Sequence, residues 1–138
     1  TPERTVCMFT GDGGFQMNIQ ELGTIMENQC PVKVILMNNN YLGNVRQWQD
    51  MFFGQRKSFT RMLNPHYQLI ADAYHIPYEV VIDRKDLKAA IEKMLATDGP
   101  FILECAVKEE DNVAPMIAPG ASIDEMMLEI NIETKLDC

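Results

Sequence analysis

The chain has 138 residues, 46% of them apolar, enough to bury one sizeable core, so one domain is expected. Twelve basic against twenty acidic residues leave a net charge of -8, which disfavours nucleic acid or an anionic membrane as the main partner and makes any phosphate binding a local affair. No apolar run of about 20 residues is present, so no membrane-spanning helix is expected.

At the start, Thr1-Pro2-Glu3-Arg4 leads almost at once into a strand, with neither an initiator methionine nor a signal peptide. The expectation is a piece of a longer polypeptide. Thr5 to Thr10 reads as a short buried strand, and from about Phe15 to Asn28 the spacing of Phe15, Ile19, Leu22 and Met26 predicts one helix. Pro31 breaks that pattern. Val32 to Met37, β-branched and almost wholly apolar, predicts a second strand buried on both faces. A short helix is expected from Asn44 to about Phe53, then an exposed and mobile polar stretch, Gly54-Gln55-Arg56-Lys57-Ser58.

Asn64-Pro65 opens a helix near His66 to Tyr74, with Tyr67, Ile70 and Tyr74 on one face, and Ile76-Pro77 ends it. Tyr78 to Ile82 reads as a third strand. Asp86 to Ala96 is predicted helical with Leu87, Ile91, Met94 and Leu95 inward, and Phe101 to Val107 is a fourth strand. This alternation predicts an α/β fold, a parallel sheet flanked by helices over residues 1–110. Two prolines and a glycine between Pro115 and Gly120 mark residues 111–138 as an irregular C-terminal arm. Cys7, Cys30, Cys105 and Cys138 are scattered without metal-binding spacing, so reduced, buried thiols in a cytoplasmic setting are expected.

The chemistry lies at two expected strand ends. Gly11-Asp12-Gly13 follows the first apolar run and Asn38-Asn39 follows the second, with Asn39 27 positions after Asp12. Taken singly, the first is a plain turn and the second a polar loop. Together they fit a magnesium diphosphate site: glycines let backbone N–H groups approach phosphate, and a helix N-terminus adds favourable dipole charge. Asp12 would repel a diphosphate unless a divalent cation lay between them, and Mg²⁺ favours few carboxylates with neutral and phosphate oxygens. The interval suits a turn, a helix and the next strand of a parallel sheet, whose ligands bind at the carboxyl ends of strands. Gln16 stands where G-x-G-x-x-G needs its third glycine, and no G-K-[ST] occurs.

On these residues the chain resembles the thiamine diphosphate enzymes, whose motif is GDG, some 25 to 30 residues, then NN. Tyr41-Leu42-Gly43-Asn44-Val45-Arg46-Gln47-Trp48-Gln49 narrows the resemblance to the catalytic subunit of acetohydroxyacid synthase, also called acetolactate synthase. The tail from Asn112 to Gly120, with Asp124-Glu125-Met126, is similar to the same family, so the likeness runs from about Arg4 to Leu128.

The resemblance implies the thiamine diphosphate-binding fold, truncated at its N-terminus. Asp12, the Asn39 side chain and the Tyr41 backbone carbonyl would hold Mg²⁺, and Gly11, Gly13, Gly14, Leu42, Gly43, Asn44 and Val45 would border the cofactor. Arg46, Gln47 and Trp48 would line the substrate channel, Trp48 helping to select the second 2-ketoacid and contacting herbicidal inhibitors; packing as a core anchor is the alternative for this sole tryptophan. Asn44, often methionine in the family, bears on inhibitor sensitivity, and Gly14, commonly serine, matters little if its contact is backbone. His66 and His75 read as solvated or capping, and the ten methionines as adaptable packing.

The implied activity decarboxylates pyruvate and joins its two-carbon remainder to a second 2-ketoacid, pyruvate or 2-ketobutyrate, in branched-chain amino acid biosynthesis. No catalytic residue is expected in this chain, because the activating glutamate of the family belongs to the partner subunit's pyrimidine-binding domain. FAD would sit on a middle domain absent here, the full chain would form a homodimer or homotetramer, and a small regulatory subunit is possible. By itself the chain is expected to be inactive. A sister enzyme, such as a pyruvate oxidase or a 2-ketoacid decarboxylase, shares GDG and NN but not Arg46 to Gln49 or the Pro115 to Gly120 tail. A non-catalytic phosphate-binding module is the remaining alternative.

Overall fold

A computed structural model of the chain describes residues 3–109 and 111–130. Four parallel strands, β1 (Val6–Gly11), β2 (Val32–Asn38), β3 (Tyr78–Val81) and β4 (Phe101–Ala106), form one sheet in the order β1-β2-β4-β3. Helices α1 (Asp12–Met17) and α2 (Glu21–Glu27) join β1 to β2, α3 (Gly43–Phe52) and α4 (Tyr67–Ala73) join β2 to β3, and α5 (Leu87–Ala96) joins β3 to β4.

Alternation along the central strands builds two cores. Successive strand residues point to opposite faces, so Val34, Leu36 and Ile102 pack with Phe15, Leu22, Tyr67 and Ala71, whereas Ile35, Phe101, Leu103 and Cys105 pack with Ala90 and Met94 of α5. Both faces of β2 and β4 are thus covered, which is why these strands read as continuous apolar runs. The buried charged exceptions are Glu104 on β4 and, on β2, Lys33. Only 4% exposed, it donates from Nζ to the carbonyls of Thr97 and Gly99, both at 2.6 Å, and so satisfies groups beyond the end of α5 that burial would otherwise leave costly.

The structure corrects four expectations. The helix predicted from Phe15 to Asn28 is two helices, because the Asn18 N–H turns back to the Phe15 carbonyl while its Nδ2 donates to the Gly14 carbonyl, a local bond that competes with helix propagation. In α5 Leu95 is 51% exposed and Ala90 takes the inward place; the Asp83 side chain accepts the Lys85 N–H and sets a 3₁₀ turn, Arg84–Asp86, ahead of the helix. Strand β1 is an edge strand rather than a buried one, with Phe9 71% exposed and none of its residues in either core among the described residues. For the same reason Cys7 is exposed; Cys30 is half-buried, Cys105 is buried, and Cys138 lies outside the described residues. Residues 54–58 are mainly exposed, as expected.

Burial also tunes two phenols. The Tyr67 hydroxyl is pushed up to about 12, first by burial, against a lowering hydrogen bond from Gln16 and with further raising by the Asp12 and Glu104 charges. Tyr78 is raised too, by burial and by donating to buried Glu104. A phenol whose folded pKa exceeds its unfolded value of 10 stabilises the fold fully below pH 10, and this contribution is lost as pH climbs toward the folded value. Above pH 10 each such phenol is expected to remove about 1.4 kcal/mol of stability per pH unit. Denaturation midpoints across a pH series check this; a fall as steep in the Tyr67→Phe, Tyr78→Phe double variant would refute it.

Candidate functional site

The register places both motif turns on one sheet edge. Gly11, the last residue of β1, pairs with Met37, and Met37 pairs with Cys105, so Asp12 and Asn38-Asn39 leave neighbouring strands at their carboxyl ends. Asp12 opens α1 and is 1% exposed, with Oδ2 accepting from Asn64 Nδ2 at 2.6 Å. Beyond β2 two side-chain turns follow in succession: the Asn40 N–H donates to Asn38 Oδ1 at 3.1 Å, and the Tyr41 N–H donates to Asn39 Oδ1 at 3.0 Å. Asn40 adopts a left-handed φ of 57° and swings the chain toward α3. That ten-residue helix has neither a side-chain cap nor an acidic residue in its first turn, so its first N–H groups and dipole are left to an anion.

These turns enclose a cavity of about 400 Å³ that all ten residues expected to border the cofactor line together. Met37, Gln47, Val107, Asp111 and Val113 complete the wall. Space is tight at two glycines here: a Cβ on Gly13 would lie 2.6 Å from Leu42 Cδ2, and one on Gly43 3.1 Å from Asn39 Nδ2, so either would make a neighbouring side chain shift. The donor set fits Mg²⁺ with a diphosphate, because one buried carboxylate stands beside a neutral amide oxygen and bare backbone. Among the described residues no group of three or more His, Cys, Asp or Glu is placed so that it could hold a metal ion.

The three residues expected in the channel separate. Arg46 is 4% exposed, and its guanidinium donates to the carbonyls of Glu109 and Asp111 and to Asn112 Oδ1, while it stacks over the Tyr41 ring at 5.5 Å. Gln47 holds Val113 twice, donating to its carbonyl at 3.0 Å and accepting its N–H at 2.7 Å. Both side chains therefore fasten the tail. Trp48 is 42% exposed and packs edge-to-face on Phe52 at 5.9 Å, beside a second cavity of about 530 Å³ lined also by Asn44, Val45, Gln49, Phe53 and Arg56. His66 and His75 are exposed.

Asn64 was legible in the sequence only as the start of a helix. In the structure it lies within hydrogen-bond distance of Asp12, Asn38, Asn40 and Gln16. Behind it, Asn38 Nδ2 donates to Glu104 Oε1 at 2.7 Å, and the other oxygen of Glu104 accepts from Tyr78. No periodicity marks these residues, since three of them lie on different strands and meet only through the strand order.

At adjacent strand ends the parallel α/β sheet brings together a glycine-rich turn, a buried carboxylate and an uncapped helix start, features suited to a phosphate ligand. Residues 1–105 match the family described as thiamine pyrophosphate enzyme, C-terminal TPP binding domain, and the chain belongs to that family. Among its relatives, it is 41% identical over 131 residues to the acetolactate synthase isozyme 2 large subunit of Escherichia coli K12, covering 94% of this chain and 24% of that protein. It is 42% identical over 128 residues to the acetolactate synthase large subunit of Pyropia yezoensis, covering 91% of this chain and 22% of that one. The chloroplastic acetolactate synthase 2 of Nicotiana tabacum is 39% identical over 136 residues, 93% and 20% of the two chains. The chain thus spans about a quarter or less of the relatives it matches. The thiamine diphosphate-dependent 4-hydroxybenzoylformate decarboxylase of Rhodococcus jostii RHA1 shares the fold, with a TM-score of 0.73 at 23% identity over 78% of this chain and 20% of that one.

Proposed function

We propose that this chain forms the diphosphate- and Mg²⁺-binding part of an acetolactate synthase catalytic subunit. The observation that carries the reading is the gathering of the ten motif residues on one cavity at the carboxyl edge of β1 and β2. Identities of about 40% to acetolactate synthase large subunits support the choice within the family. Asp12, Asn39 Oδ1 and the Tyr41 carbonyl would hold Mg²⁺, the Gly13 and Gly14 backbone would meet the diphosphate, and Gly43 would keep the loop close. Bound there, thiamine diphosphate would supply the electron sink for decarboxylating a 2-ketoacid and transferring the two-carbon remainder. The chain's own residues bind and orient the cofactor's phosphate end.

In the full-length enzyme the substrates would be pyruvate and pyruvate or 2-ketobutyrate, with FAD on another domain, a homodimer or homotetramer as the assembly and a cytoplasmic setting. A small regulatory subunit would be a further partner. Acetolactate formation from pyruvate by the full-length protein, with thiamine diphosphate, Mg²⁺ and FAD supplied, tests the reading. Acetaldehyde or acetyl phosphate as product would assign the chain to a sister enzyme instead.

Trp48, half-exposed on the α3 face beside the second cavity, would help to select the second ketoacid. Trp48→Leu is expected to shift the ratio of 2-aceto-2-hydroxybutyrate to acetolactate several-fold, within the roughly 10–200-fold that one hydrophobic contact can discriminate. Product ratios from mixed pyruvate and 2-ketobutyrate measure it; an unchanged ratio would remove Trp48 from the channel.

A further inference from the structure

We propose that Asn64 is a positioning residue for Asp12, fixing which carboxylate oxygen is offered to the cation; this rests on the reading of Asp12 as a Mg²⁺ ligand. Asn64 lies just before Pro65 and α4, far along the chain from α1, yet its Nδ2 stands 2.6 Å from Asp12 Oδ2, 2.8 Å from Asn38 Oδ1 and 3.2 Å from Asn40 Oδ1. Three oxygens around one amide nitrogen settle its orientation. An ionised carboxylate can only accept, so Asn64 must present its NH₂ to Asp12 and its oxygen elsewhere. That oxygen accepts from Gln16 Nε2 at 2.7 Å, which holds the amide from the other side.

The consequence for Asp12 is specific. Oδ2 is committed to a neutral donor, which leaves Oδ1 as the oxygen that would meet a cation at the cavity Asp12 lines. A lysine or arginine in this place would cancel the charge that a cation needs, whereas an amide orients the carboxylate and leaves its charge whole. The same NH₂ reaches Asn38, which Glu104 holds at its other end, so strand β4 and the loop before α4 both support the carboxylate through one amide. Asn64 touches the ligand rather than the cation, as an outer-shell partner does, and such partners typically set metal affinity by about 10–100-fold.

The test uses the full-length protein with thiamine diphosphate, and reads Mn²⁺ affinity by electron paramagnetic resonance titration beside the Mg²⁺ dependence of turnover. Asn64→Ala is expected to weaken Mn²⁺ binding and raise the half-activating Mg²⁺ concentration by about 10–100-fold, with most of kcat restored at saturating Mg²⁺. Gln16→Met, which keeps Asn64 but releases its oxygen, is expected to move both in the same direction by less. If Asn64→Ala does not fold, the Gln16 variant decides. Lowered thermal stability with unaltered Mn²⁺ affinity would make Asn64 a merely structural residue and overturn the proposal. Asp12→Ala, run in parallel, separates the two readings: if it abolishes cation binding while the Asn64 and Gln16 variants leave it unmoved, only the role of Asn64 falls; if it changes nothing, the reading of Asp12 falls as well.

Discussion

Asp12→Ala in the full-length protein is expected to abolish Mg²⁺-dependent binding of thiamine diphosphate while leaving the fold in place. Its carboxylate is buried beside backbone that invites phosphate, so without a cation it is a source of repulsion and with one it is the bridge. Removing it should weaken cation binding beyond the roughly 100-fold typical of outer-shell partners, because Asp12 is the buried carboxylate on the cavity, whereas Asp111 on the same wall is exposed to solvent. Asp12→Asn sharpens the measurement. It keeps the shape near Asn64 but lacks the charge, so a calorimetric titration of cofactor with and without Mg²⁺ should show the Mg²⁺-dependent part missing in both variants. Unchanged affinity in either would refute the ligand role.

Arg46→Ala is the second large effect, and its first consequence lies in the tail. The guanidinium is charged, buried and bonded to three acceptors between Glu109 and Asn112, so truncation leaves two carbonyls and an amide oxygen without their donor. A loss of about 3 kcal/mol is expected, in the range for buried hydrogen bonds to charged groups. Glu109, Asp111 and Asn112 should become open to protease while Gln47 still holds Val113. Because Asp111 and Val113 wall the cavity that contains Asp12, cofactor affinity should fall as the tail loosens. Limited proteolysis and the denaturation midpoint check this; a resistant tail at wild-type stability would show that Arg46 fastens nothing.

Sequence patterning carried the sheet because local burial and local chemistry agreed there. Val32 to Met37 could only be a strand covered on two faces, and Asn38-Asn39 beyond it could only be a strand end. The ten motif residues of the cavity were legible for the same reason, since each lies at a strand end, in the loop that follows it or in the first turn of the next helix. What escaped were contacts set by the strand order. Arg46 and Gln47 carry an ordinary helical pattern, and nothing in it says that they face residues more than 60 positions later. Asn64 and Glu104 are polar residues beside apolar ones, and their partners become visible only once β4 lies between β2 and β3. The break at Asn18 was missed because hydrophobic spacing continued across it while the side chain bonded the Gly14 carbonyl one turn earlier.

The strand order has a further consequence during synthesis. Of the four described strands β4 is made last, yet it occupies the place between β2 and β3, and among the described residues β3 pairs with no other strand. Until residues 101–106 emerge from the ribosome, β2 has, among these strands, a partner only on its β1 side and β3 has none. Glu104 arrives with them, so the support behind Asn38 and the central pairing of the sheet are completed in one late step.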